Sequence, residues 1–188
     1  MNCARMNCAI ALVSFFVCLT GLTATGKDDT NLNVAAWGRF QWQEHTRLSW
    51  DDFKGEVNTT HDESAAATCC SIGFKTDIPA SGGKPEIIVY NTFYVDRSWV
   101  RPDARIQSIL DHEQGHFDLC EVYTRKLKGR MMNFDIGMPG VKQELMNIYA
   151  QVSKEYEARQ QCYEEETVHG TNIAAQRRWQ DMIARELM

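Results

Sequence analysis

The chain has 188 residues, 44% of them hydrophobic, and carries a net charge of −5. That is long and apolar enough for one hydrophobic core, which excludes a disordered polypeptide, and its acidity argues against a nucleic-acid partner. The basic runs that exist, from Arg125 to Arg130 and at Arg177-Arg178, read as helix-end charges rather than a phosphate-binding patch.

Residues 1–26 have the make-up of a signal peptide. Arg5 lies in a short n-region, an apolar run follows over 8–19, and the small residues Ala24-Thr25-Gly26 precede Lys27-Asp28-Asp29. The apolar run is shorter than the roughly 20 residues of a membrane span, so the expectation is export to the periplasm or beyond, without stable membrane insertion after cleavage. Residues 27–188 are then a single domain.

Removing the leader takes away Cys3, Cys8 and Cys18 and leaves Cys69, Cys70, Cys120 and Cys162. An even count in an exported chain predicts two disulfides. The adjacent Cys69 and Cys70 would be strained if joined to each other, so each is expected to bridge to Cys120 or Cys162.

The N-terminal half supplies the sheet. Residues 69–78 and 86–95 are the strand candidates, the second rich in β-branched and aromatic side chains (Ile87, Ile88, Val89, Tyr90, Phe93, Tyr94), and the Gly- and Ser-rich stretch 79–85 between them predicts a hairpin. Trp37, Trp42, Trp50 and Phe53, upstream of the hairpin, are expected to fill the core or cover an edge.

Residues 105–129 have the pattern of one long helix. Ile106, Ile109, Leu110, Phe117, Cys120, Tyr123 and Leu127 recur at three- and four-residue steps, and Asp103 after Pro102 is the candidate N-cap. Inside this run His112-Glu113-Gln114-Gly115-His116 reads HExxH. Histidines four apart project from one helix face a turn apart and can converge on a single metal ion. Glu113 falls where its carboxylate can reach a water at the metal rather than the metal itself. It also sits at the edge of the apolar stripe, a costly place for a carboxylate without a compensating partner.

A catalytic zinc needs a third protein ligand, and the continuation HExxHxxGxxH is absent: Phe117, Asp118, Leu119, Cys120 and Glu121 follow His116. Asp118 and Glu121 point to other helix faces. His45 and His61 lie in polar stretches of the N-terminal half. A second helix over 141–165, starting past Pro139-Gly140, can return antiparallel through the turn 134–140, and it must overshoot or break before its C-terminal end to bring His169 level with the metal, with Glu166 as the alternative donor.

Four segments resemble one family. Leu48-Ser49-Trp50-Asp51-Asp52-Phe53-Lys54-Gly55, Ser98-Trp99-Val100, the run from Leu110 through His112-Glu113-Gln114-Gly115-His116 to Leu119, and Tyr163-Glu164-Glu165-Glu166-Thr167-Val168-His169-Gly170 look like the hallmarks of DUF922, small exported bacterial proteins described as predicted zinc-dependent, zincin-like proteases. The resemblance implies His112, His116 and His169 as zinc ligands and Glu113 as the base. It departs from the family pattern at Glu164, where Asp is expected, and at Val168, where a polar residue is expected.

The expectation is therefore an α+β, zincin-like domain in which an N-terminal antiparallel sheet packs on a long HExxH helix followed by further C-terminal helices. Its function is read as that of an exported Zn2+ metallopeptidase acting on a peptide or protein substrate, with Tyr156 or Tyr163 stabilising the oxyanion. The resemblance also suggests that an edge strand above the metal helix pairs with an extended peptide. The alternatives are a non-catalytic exported module that keeps a metal-binding helix, and a zinc amidase acting on cell-wall peptides.

Overall fold

A computed structural model describes residues 38–45, 47–57, 64–77 and 85–188. The signal-peptide reading of 1–26, Trp37, His61 and nearly all of the hairpin turn fall outside these residues.

Among the described residues, five strands precede three helices: β1 (Arg39–Phe40), β2 (Ala66–Ala67), β3 (Cys70–Asp77), β4 (Glu86–Tyr94), β5 (Trp99–Val100), α1 (Gln107–Met131), α2 (Val141–Thr167) and α3 (Ile173–Leu187). The hairpin expected from the β-branched run forms as β3 and β4, antiparallel from Cys70↔Phe93 to Asp77↔Glu86, and β1 adds to the other side of β4. A separate antiparallel pair joins β2 to β5. The architecture is α+β, with small antiparallel sheets and three helices.

The core lies between the β1-β4-β3 sheet and α1. Phe93 of β4 and Phe117 of α1 are both fully buried, their rings 5.3 Å apart, and Phe40 and Phe53 pack on Phe93 at 4.8 and 5.7 Å. Aromatic pairs at these spacings add about 0.5–1.5 kcal/mol each beyond the area they bury. A second cluster of Leu119, Tyr163, Trp179 and Ile183 fills the opposite flank of α1. The long helix is thus covered by the sheet on one side and by α2 and α3 on the other, which is how its HExxH segment comes to be buried.

Helix α2 runs antiparallel to α1: Arg130 pairs with Glu155 near one end, His116 meets Gln160 further along, and His112 meets Glu164 near the other end. Helix α3 lies parallel to α1, with Gln176 near Asp111 and Arg125 donating to the carbonyl of Leu187. Asn172 caps α3 by accepting from the amide of Ala175.

Two expectations need correction. Asp103 is not the cap of α1: Pro102–Ala104 forms its own 3-10 turn, Ile106 stays extended (φ −118°, ψ 155°), and the helix begins only at Gln107. Nor are the two disulfides formed, because Cys69, Cys70, Cys120 and Cys162 are all free thiols. Alternation along the strand sends Cys69 and Cys70 to opposite faces. Cys70 enters the core beside Cys120 and Tyr156, while the backbone of Cys69 is held by Ser98 and its thiol lies by Arg97. Burial pushes the Cys69 thiol up to about 11. Cys162 packs instead against the Leu119–Trp179 cluster.

The N-terminal strap over the sheet is tied to α1 by two side chains of the HExxH region. Gln114 accepts from the amide of Leu48 at 2.8 Å and donates to Asp118, and Asp118 accepts the indole N–H of Trp42 at 2.8 Å. Trp42 is covered in turn by the Arg125 guanidinium, and Trp50 packs on Phe53, so both tryptophans serve as covering residues.

Candidate metal centre

His112, Glu113 and His116 are between 3% and 6% exposed on α1, a turn apart as the HExxH spacing requires. Their Nε2 atoms stand 3.1 Å apart, His112 to His116. Into the space they share projects Glu164 of α2, whose Oε2 lies 2.9 Å from His112 Nε2 and 3.7 Å from His116 Nε2. Among the described residues, these three form a group whose donor atoms could hold a metal ion. Ligands about 2.0–2.1 Å from a tetrahedral ion lie roughly 3.4 Å from one another, so the three separations suit one small cation.

Antiparallel packing explains the choice of third donor. With Gln160 level with His116 and Glu164 level with His112, His169 lies past the end of α2 and past the site. It is exposed, and its Nδ1 sits 3.4 Å from Oε1 of Glu164, so it backs the carboxylate instead of joining the two histidines. Glu166 faces the other way and accepts the indole N–H of Trp179 at 2.9 Å. His45 is exposed beside Glu44.

Charge and hydrogen bonding lock the cluster. Burial works against ionisation of Glu164, but hydrogen bonds from His112 and His116, and their charge, override it and hold this carboxyl well below the usual carboxylate range. Burial likewise works against the imidazolium of His116, yet the hydrogen bond and charge of Glu164, with the charge of Glu113, raise it to about 9. The raised imidazolium of His116 beside the ionised Glu164 thus puts positive charge where a cation would take its place.

Glu113 is 3% exposed, and its Oε2 is buried without a hydrogen-bond partner. A lone carboxylate oxygen shut away from water costs at least 1–3 kcal/mol, roughly the penalty for any orphaned buried acceptor. Next to three convergent donors, that orphan fits a site that could hold a cation.

Tyr163 builds the floor. Its ring stacks on His112 at 4.8 Å and stands edge-on to His116 at 4.9 Å, and its hydroxyl donates to the carbonyl of His112 while accepting from Gln176. Tyr156 is equally engaged, between Cys70 Sγ and Gln160. Both hydroxyls are therefore committed inside the core rather than offered to a substrate.

The turn after α2 presses on the site as well. Val168, His169 and Gly170 all have left-handed backbone (φ 50°, 54° and 79°), and a Cβ at Gly170 would meet His112 Cβ at 2.9 Å. Only glycine fits there, and a β-branched residue at Val168 is strained.

Residues 91–170 match a family model. Its description is that of a bacterial protein of unknown function, DUF922. The DUF922 match begins in β4, takes in all of α1 and α2 and ends at Gly170, so it contains His112, Glu113, His116 and Glu164. No curated protein and no solved structure matches the chain.

Three residues around the histidines were missing from the sequence-based reading: Glu164, Gln160 and Gln176. The available sign for Glu164 was its place as an acidic residue one step from the family pattern. For Gln160 it was spacing, since Tyr156, Gln160, Tyr163 and Thr167 recur at three- and four-residue steps and form a polar stripe on the buried face of α2. Gln176 had no comparable sign.

Proposed function

We propose that the protein is an exported zinc-dependent metallopeptidase in which His112, His116 and Glu164 hold the ion and Glu113 is the catalytic base. The observation that carries this reading is the buried, unpartnered Oε2 of Glu113 beside the three-donor cluster. A purely structural ion would need no such carboxylate next to it. Nitrogen and oxygen donors without thiolate also suit a hydrolytic zinc.

When bound, zinc would supply Lewis acidity, acidifying a water and polarising a carbonyl. The chain's own part is proton handling and orientation. Glu113 takes the proton of the attacking water and passes it to the departing amine nitrogen, one proton in and one out. Glu164, kept ionised by its histidine partners, neutralises half of a divalent charge, and Tyr163 holds both imidazoles against rotation.

A peptide or protein substrate is supported by β2, which among the described residues pairs only with β5 and is anchored beside the base by Thr68 Oγ1 donating to the carbonyl of Glu113. A strand with a free edge can add an extended peptide. Export is supported by the leader-like composition of residues 1–26. No helix among the described residues is long and apolar enough to cross a membrane.

A second reading, a non-catalytic module in which the ion pins α2 to α1, is favoured by how deeply both histidines are buried. One experiment separates the two: metal content and cleavage of a denatured protein, measured for the wild type and for Glu113→Gln. The peptidase reading expects one equivalent of zinc in both proteins and cleavage in the first alone. Stoichiometric zinc without cleavage by the wild type would favour the structural module, and absence of metal from the wild type would end both readings.

A further inference from the structure

We propose that Gln160 and Gln176 are the positioning residues of this centre: their side-chain amides keep a hydrogen on Nδ1 of His116 and His112, so that in each ring Nε2, on the Glu164 side, is the nitrogen that exchanges its proton for a cation. The inference rests on the reading that the cluster binds a metal.

Gln160 is 1% exposed, and its Nε2 donates twice, to the carbonyl of His116 at 3.0 Å and to the hydroxyl of Tyr156 at 2.9 Å. Turning the amide over would set its oxygen against the carbonyl of His116, and a carbonyl oxygen only accepts, so that partner fixes the amide. The atom left facing His116 Nδ1, at 2.6 Å, is therefore Oε1, and the ring nitrogen must carry the hydrogen.

Gln176 repeats the arrangement from another helix. Its Nε2 donates to the Tyr163 hydroxyl at 2.7 Å and reaches the carbonyl of Asp111 at 3.5 Å. The Tyr163 hydroxyl spends its own hydrogen on the carbonyl of His112, so it must accept from Gln176. Oε1 of Gln176 is then the atom that stands 3.2 Å from His112 Nδ1. Two amides on two different helices thus keep hydrogen on the same nitrogen of two rings.

An imidazole that donates from one nitrogen to a fixed acceptor presents the other to a metal in a fixed direction, and loss of such a partner costs about 10- to 100-fold in metal affinity. The acceptors here are neutral. A carboxylate in either place would make the ring a stronger base, whereas an amide aims it without adding charge to a pocket that already holds Glu113 and Glu164.

The test uses the full chain with zinc as the probe. Gln160→Met and Gln176→Met keep the volume and remove the acceptor, while Gln160→Glu and Gln176→Glu keep an acceptor oxygen. Zinc affinity is measured by competition with a chromophoric chelator, and ring protonation by long-range proton–nitrogen NMR of the zinc-loaded proteins. The wild type should show hydrogen on Nδ1 and zinc on Nε2 for both rings; each methionine variant should lose about 10- to 100-fold in affinity, with its own ring's Nδ1–H lost to faster solvent exchange or to coordination through Nδ1, and each glutamate variant should keep that signal. Methionine variants that melt earlier yet bind zinc as the wild type does, with both Nδ1–H signals intact, would reduce the glutamines to packing and overturn the inference while leaving the metal reading in place. A wild type that takes up no zinc would overturn both.

Discussion

Gly115 lies directly beneath the phenol of Tyr163: a Cβ on residue 115 would stand 2.2 Å from the Tyr163 hydroxyl oxygen and 2.7 Å from the ring carbon that bears it. The glycine inside the HExxH segment therefore exists to let α2 come close enough for its tyrosine to cross α1 between the two histidines. Gly115→Ala should cost about 1–3 kcal/mol by overpacking, despite the better helix propensity of alanine. Thermal denaturation checks it, and adding Tyr163→Phe should recover part of the loss by removing the closest atom.

Glu164 and His169 make opposite predictions as third ligand. Glu164→Gln should lower zinc affinity at least ~100-fold, and His169→Ala should keep a full equivalent of metal. Elemental analysis after dialysis against a weak chelator reads both. Retention by the first variant and loss by the second would return the ligand role to His169.

Metal uptake should be coupled to pH through His116. In the metal-free protein its imidazolium persists up to about 9, so a cation must displace a proton, and apparent affinity should climb roughly tenfold per pH unit below that point. Calorimetric titration in two buffers of different ionisation heat should give about one proton released per zinc at neutral pH. The same pair affects stability without metal. Because the folded-state value lies above the ordinary 6.5, its contribution is complete below about 6.5 and is lost as pH rises through 9. The melting temperature of metal-free protein should fall over that window, and zinc should abolish the fall.

Asp118→Ala should destabilise the fold by about 1–3 kcal/mol without changing zinc stoichiometry. It removes the acceptor of the Trp42 indole and one acceptor of the Gln114 amide, both on the strap side of α1, away from the His112–His116–Glu164 cluster. Urea denaturation with parallel metal analysis checks both halves of the statement.

The sequence was most legible where periodicity and spacing act within one element. The HExxH helix, the returning helix and the β-branched hairpin all form within two residues of the expected bounds, because local patterning decides them. Contacts between elements were less legible. Whether Glu164 or His169 reaches the histidines depends on how far α2 slides along α1, and the register shown by the His116–Gln160 contact is set by packing such as Tyr163 against Gly115, which no single-helix pattern encodes. The disulfide expectation was met only in placement: Cys70 does lie beside Cys120, as two free thiols, whereas Cys69 by Arg97 and Cys162 by the Leu119–Trp179 cluster occupy different surroundings, which an even cysteine count does not encode.

Helix α3 begins after the family match ends, yet it supplies the amide beneath His112 and the Trp179 ring that packs on Tyr163 at 5.2 Å. A fragment trimmed to the matched segment would keep all three proposed donors and is expected to chelate poorly, with one imidazole free to spin and the tyrosine floor open to solvent. The boundary of the working unit is thus drawn by the C-terminal helix.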